Sequence, residues 1–145
     1  MSAFTLRLLI ALFLIAHGWV HFSLTTVPTP TPGAQRTPFW PGWWREDIDA
    51  NWFASRLGLS DDFVRILGSI LWVATVIGFT LAGLGLLGIP GLSMIWQGTT
   101  IFGAIASMLL LGFYWHPWLV MGVMINLAAL ASVWQQWPLA LFTSQ

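Results

Sequence analysis

The sequence predicts an all-α integral membrane protein: a bundle of four transmembrane helices joined by one long loop. Three observations predict it. Four apolar runs, near 4–24, 63–87, 92–115 and 117–137, each approach the ~20 residues that a helix needs to cross ~30 Å of hydrocarbon. Charged residues make up only 7% of the 145 residues and hydrophobic ones 57%, where an ordinary soluble domain carries roughly 25% charge. Eleven tryptophans stand in the chain, and tryptophan favours the membrane–water interface. The length suits one domain over residues 1–145.

The same composition excludes several function classes. There is no cysteine, which removes disulfides, thiolate metal sites, iron–sulfur clusters and cysteine nucleophiles. The five basic residues are all arginine and are balanced by five acids, so no basic surface exists for a nucleic acid.

The first run, from Leu8 to Leu24, follows Arg7, with Ala3 to Arg7 forming its helical start. A cleaved secretory signal is the competing reading. The run is long for a signal core and no clean Ala-x-Ala site follows it, so a retained span is favoured. Residues 25–62 form the only long polar stretch. Alternating Thr and Pro from Thr25 to Pro32 prevent helix and favour extended backbone. Pro38-Phe39-Trp40-Pro41-Gly42-Trp43-Trp44 is too aromatic for a free linker and suits the headgroup level. An interfacial helix is expected over about 45–57, with Trp44, Ile48 and Trp52 as its apolar stripe. A cap packed on the helix ends by Trp52 and Phe53 is the alternative.

Gly58 is the expected stop of that helix. Ser60 is the expected N-cap of the second span, with Asp61 and Asp62 in its first turn and Asp61 spaced to pair with Arg65. Ile89-Pro90-Gly91 turns the chain into the third span, and Trp115-His116-Pro117-Trp118 into the fourth. Short turns make neighbouring helices antiparallel. Ala74, Gly78 and Ala82, and likewise Thr99, Gly103 and Ser107, form small-residue stripes that let helices approach closely. Counting spans puts His17, His21, the Trp-rich loop and His116 in the same half of the molecule. Orientation is balanced between the arginines of the long loop and its Pro/Thr/Trp-rich character; both termini are taken as cytoplasmic, in a bacterial inner membrane.

The candidate site residues are His17, His21, His116 and Asn126. His17 and His21 stand at i, i+4 on one helix face, the edge of a two-ligand metal site, and Gly18 between them admits a close neighbour or a flat cofactor. A third ligand would come from His116 or from Glu46, Asp47 or Asp49. Two histidines one turn apart cannot supply both axial ligands of one haem. His17 with His116 would do so only if the first and third helices face each other. Hydrogen bonding inside the bundle is the simpler use of His17. For Asn126, interhelical hydrogen bonding is the simpler role and contact with a quinone or other substrate the sharper one. Gln97, Thr99, Thr100 and Ser107 are placed to line the same interior. No nucleophile with a paired base is visible, and no carboxylate lies within a span, which argues against ion-coupled transport.

Ala16-His17-Gly18-Trp19-Val20-His21 followed by three further spans resembles small bacterial membrane proteins that open on His-Gly-x-x-His. Ser107-Met108-Leu109-Leu110-Leu111 on the third span and Gly122 to Asn126 on the fourth look similar to the same group. More loosely, the layout is similar to the DoxX-like four-helix family. Where that family carries Gly-x-x-Lys, this chain has His21 after Gly18. The resemblance implies a redox accessory role coupled to quinone.

The leading expectation is a non-enzymatic subunit or scaffold that packs against other membrane subunits or a second copy of itself. The alternative is a redox accessory protein binding quinone, haem or metal at the histidines. A carrier for a small hydrophobic molecule would need a lipid-accessible cavity lined by Gln97, Ser107 and Asn126.

Overall fold

The computed structural model describes residues 2–22, 57–115 and 117–136. Its regular structure is helical: α1 (Ala3–Val20), α2 (Asp61–Leu86), α3 (Trp96–Phe113) and α4 (Val120–Trp134), with a 3-10 turn at Pro117–Leu119 leading into α4. The Pro/Trp-rich loop, all of the expected interfacial helix except Leu57, and His116 lie outside the described residues, as do the side chains of Asp61 and Arg65.

The helix ends follow the local chemistry. Ser2 and Ser60 cap α1 and α2: each is extended, and each hydroxyl accepts from the amide three residues on, Thr5 N at 3.1 Å and Phe63 N at 3.3 Å. Leu57 is helical and Gly58 takes φ +67°, the left-handed stop expected there.

Two boundaries differ from expectation. α3 opens at Trp96, not Leu92, because Gly88 and Gly91 both take left-handed backbone, at φ +84° and +82°. The chain between them folds into consecutive turns, with Leu92 N and Ser93 N both donating to Ile89 O at 3.1 Å. The fourth segment starts as a 3-10 turn at Pro117 and becomes α-helical only at Val120. Proline has no N–H to give, and the tight turn is the common way into a helix from it.

Three helices, α1, α2 and α3, are long and apolar enough to cross a membrane; α4 is apolar but has 15 residues. At ~1.5 Å per residue α4 rises ~22 Å, and the 3-10 turn before it adds ~6 Å.

The four helices pack in antiparallel sequence. On α1 and α2, Gly18 meets Thr75 and Phe79 while Ala11 meets Gly83. On α2 and α3, Gly68 faces Tyr114, Gly78 faces Gly103 and Gly85 faces Trp96. On α3 and α4, Leu111 lies against Gly122 and Ser107 against Asn126. In each pair the contact climbs one helix as it descends the other. The small-residue stripes meet within one chain, at Gly78 and Gly103. A Cβ on Gly78 would stand 2.6 Å from Gly103 Cα, so the two backbones touch with no side chain between them.

The apolar interior has two parts. Leu110, Leu111, Tyr114 and Leu119 form one cluster at the end nearest the described start of α2. Leu14, Phe79, Ala82, Leu86, Trp96, Ala104 and Ala129 form the other, toward the chain termini.

The Gly78–Gly103 contact generates a direct test. Gly78→Ala forces backbone apart and is expected to lower stability by about 1–3 kcal/mol. Gly98→Ala, where a Cβ meets nothing within 4 Å, is expected to be neutral or stabilising by up to ~1 kcal/mol. Denaturation midpoints of the two variants in one detergent check both.

Candidate functional site

Between the two apolar clusters lies a layer of four buried polar side chains. His17 and His21 come from α1 and its C-terminal cap, Ser107 from α3 and Asn126 from α4. Their exposures are 6%, 4%, 0% and 0%, so each must find its partners inside the protein.

They find one another. His17 Nε2 lies 3.0 Å from Asn126 Oδ1, Asn126 Nδ2 donates to Ser107 Oγ at 2.7 Å, and His21 Nε2 lies 2.6 Å from Ser107 Oγ. An amide oxygen only accepts, so His17 carries its proton on Nε2 and donates to Asn126. Ser107 accepts from Asn126 and keeps one proton and one further lone pair, so its bond to His21 Nε2 runs in either direction according to the His21 tautomer. The two rings touch edge to face with centroids 4.8 Å apart.

Apolar and aromatic groups wall the layer. The Phe79 ring of α2 meets His17 edge-on at 5.2 Å, and Phe13 stacks nearly parallel to it at 6.3 Å. Gly18 brings α2 up to the histidine turn: a Cβ there would stand 3.3 Å from Thr75 O and from Phe79 Cβ. Gly18 thus admits a helix in this structure. Gly122 does the same beside His21, whose Cε1 would lie 3.9 Å from an added Cβ.

Two other buried hydroxyls bond within their own helices. Thr75 Oγ1 donates to Leu71 O at 2.8 Å, and Thr100 Oγ1 to Trp96 O at 2.7 Å, each on its own helix. Thr99 and Gln97 are half-buried, and Thr99 likewise bonds its own helix. Of the residues expected to line an interior with Asn126, only Ser107 joins it.

The structure therefore brings together three of the four candidate residues, His17, His21 and Asn126; His116 lies outside the described residues. It adds Ser107 as the hub. The i, i+4 spacing of Gly103 and Ser107 marked the face, but no pattern in the sequence paired the serine with His21. Ser107 and His21 have the separation of a nucleophile and its base. Ser107 exposes no surface and already accepts from Asn126, so its oxygen is sealed from any substrate. Both histidines have Nε2 committed to a hydrogen bond, so metal ligation through Nε2 would require release of Asn126 or Ser107. Among the described residues no group of three His, Cys, Asp or Glu side chains gathers as a metal site.

One turn from the tetrad, an open-sided cleft of about 580 Å³ separates α1 from α4. Phe13 and Leu14 line it on one side, and Ile125, Ala128 and Ser132 on the other. None of Gln97, Ser107 and Asn126, the residues expected around a carrier's cavity, lines this cleft: Asn126 closes against His17 and Ser107, and the space opens beyond them. Comparison with known proteins supplies no relative, since no family model, curated protein or solved structure matches the chain.

If Asn126 holds the layer, its loss strands two buried partners. Asn126→Ala is expected to lower stability by about 1–3 kcal/mol. A double-mutant cycle with His17→Phe is expected to give a coupling of about 0.5–2 kcal/mol, read from unfolding midpoints. Additive effects would show that the His17–Asn126 bond carries no energy.

Proposed function

We propose that the protein is a multi-pass integral membrane protein, a four-span bundle that serves as a non-enzymatic subunit or scaffold within a membrane assembly. One observation carries the membrane reading: the bundle buries a polar layer inside while long apolar rows face outward. Ile66, Ile70, Val73 and Ile77 form an exposed row along α2, and Phe102, Ile105 and Leu109 form another along α3. Met121, Met124 and Leu127 continue the pattern on α4. Rows at three- and four-residue spacing that face outward find their solvent in lipid. The aromatic group of Trp19, Phe22 and Trp72, with ring centroids 5.0 and 5.9 Å apart, stands where α1 ends, as an interfacial belt would.

The scaffold reading follows from the tetrad. Its side chains spend their hydrogen bonds on each other, which locks α1, α3 and α4 together and leaves no exposed reactive group. A redox accessory role, with quinone, haem or metal at His17 and His21, would have to open a closed network first. A bacterial inner membrane with both termini cytoplasmic, and a DoxX-like layout, complete the proposal.

The absence of cysteine gives a clean topological test. Single-cysteine variants Ser2→Cys and Gln136→Cys are expected to react with a membrane-impermeant maleimide from one side, and Ser60→Cys from the other. Ser2 and Gln136 on opposite sides would rule out an even number of spans. For the scaffold role, purification from native membranes in mild detergent is expected to yield further membrane chains by mass spectrometry and a colourless, metal-free fraction. A coloured or quinone-bearing fraction of this chain alone would favour the redox role.

A further inference from the structure

The connection between α2 and α3, residues 87–95, is built unlike a loop that faces water. Ser93 is its one residue with a polar side chain. From Ile66 to Gln145 the sequence holds no Asp, Glu, Lys or Arg, so neither the end of α2, the start of α3 nor the end of α4 brings a charge to this end of the bundle. The connection nevertheless exposes its large apolar side chains. Met94 is 87% exposed, and Ile89 and Ile95 are exposed as well. Phe4 at the start of α1 and Trp134 at the end of α4 are exposed at the same end.

Its backbone is closed upon itself. Leu87, Gly88 and Ile89 donate to carbonyls of the last turns of α2, Leu92 and Ser93 both to Ile89 O, and Ile95 to Leu92 O. Pro90 has no N–H to satisfy. The left-handed backbone of Gly88 and Gly91 makes these tight turns possible. A loop in water can leave its amides to the solvent. A connection among lipids has to bond them internally.

Helix lengths place the connection at the edge of the hydrocarbon. The apolar part of α2, Ile66–Leu86, has 21 residues and rises ~31 Å, against a hydrocarbon core of ~30 Å. With Arg65 at headgroup level on one side, Leu86 reaches the boundary on the other. Gly85 faces Trp96, so α3 starts at that same level. Ile95, Phe102 and Leu109 recur at i, i+7, i+14 and are all exposed, so the connection continues the outward apolar row of α3.

We propose that the α2–α3 connection is an interfacial anchor, with Ile89, Met94 and Ile95 seated in the bilayer among the glycerol and upper acyl groups of one leaflet. The continuous row makes one medium the cover for both the helix face and the turn. The internally bonded backbone and the lack of charge let the turn lie in that layer without stranding polar groups. The bundle is then seated asymmetrically: its α2–α3 end is immersed, while Asp61, Asp62 and Arg65 hold the start of α2 at the opposite surface. The proposal rests on the membrane reading and is independent of the scaffold role.

Single-cysteine variants of the full chain, labelled with bimane and reconstituted at high lipid excess in phosphatidylcholine vesicles, test it. Met94→Cys and Ile89→Cys report the connection, and Ser60→Cys is the water-facing control. With iodide on both faces of the membrane, the expected result is quenching at Ser60→Cys and its loss at Met94→Cys and Ile89→Cys. Those two labels are expected to emit further to the blue and to be quenched by a nitroxide carried high on a lipid acyl chain. Iodide quenching of Met94→Cys equal to that of Ser60→Cys puts the connection in water and overturns the proposal. Protection from both quenchers puts a second copy over the turn and overturns it too. Ile89→Cys stands as an independent arm should Met94→Cys fail to fold. Failure of the membrane reading is seen separately, as a chain that alkaline carbonate strips from membranes.

Discussion

The hydrogen bond between His17 and Asn126 is the constraint on which the arrangement of the four helices depends. α1 packs on α2, α2 on α3, and α3 on α4, each along an extended interface. α1 and α4 share no such interface, and what draws them together is one polar contact. A buried amide and imidazole hold the two helices because separating them strands a donor and an acceptor in the interior. Ser107 then makes the bond directional. By accepting from Asn126 Nδ2 it holds the amide oxygen toward His17, and by its bond to His21 Nε2 it holds the neighbouring turn of α1 as well.

Periodicity made the faces of the helices legible in the sequence, and it left their levels hidden. His17 and His21 share a face because they are one turn apart, as do Gly103 and Ser107, and the structure keeps both pairings of face. The partner across the bundle depends on register, which the turns decide. α3 begins at Trp96 and not at Leu92, a displacement of about one helical turn. A four-residue shift hardly rotates a face, so the amphipathic pattern is blind to it. The same shift moves every residue ~6 Å along the axis, which is more than the length of a hydrogen bond. The identity of the residue opposite His21 was therefore hidden in the backbone of Gly88 and Gly91. Span parity, by contrast, depends only on the number of helices, and it placed the histidines and the α3–α4 corner in one half without reference to register.

The hydroxyl residues show the limit of reading function from residue type. Thr75, Thr100 and Ser107 are all fully or almost fully buried on helices, and residue type alone does not say which of them bonds across helices. The two threonines return their protons to carbonyls four residues back. Ser107 has Asn126 and His21 as nearer partners and spends its hydroxyl between helices. What distinguishes it is the glycine on each facing surface. Gly18 and Gly122 let α2 and α4 close on the histidine turn, and Gly78 with Gly103 brings α2 onto α3 one turn away. Without those missing side chains the polar groups would be held too far apart to bond directly.

The same economy accounts for the gap beside the network. A single tether fixes the separation of α1 and α4 at one level only. Above it, toward His21 and Gly122, the glycine lets the two helices stay close. Below it the facing residues are Leu9, Phe13 and Leu14 against Ile125, Ala128 and Ala129. The two alanines on α4 are too short to span to the large side chains on α1, and no second polar pair draws the helices in. Close packing would demand that this space be filled, because unfilled volume forfeits dispersion contacts on every lining atom. A shift of α4 inward would close the gap, but it is opposed by Asn126, whose position is already set by Ser107 on α3.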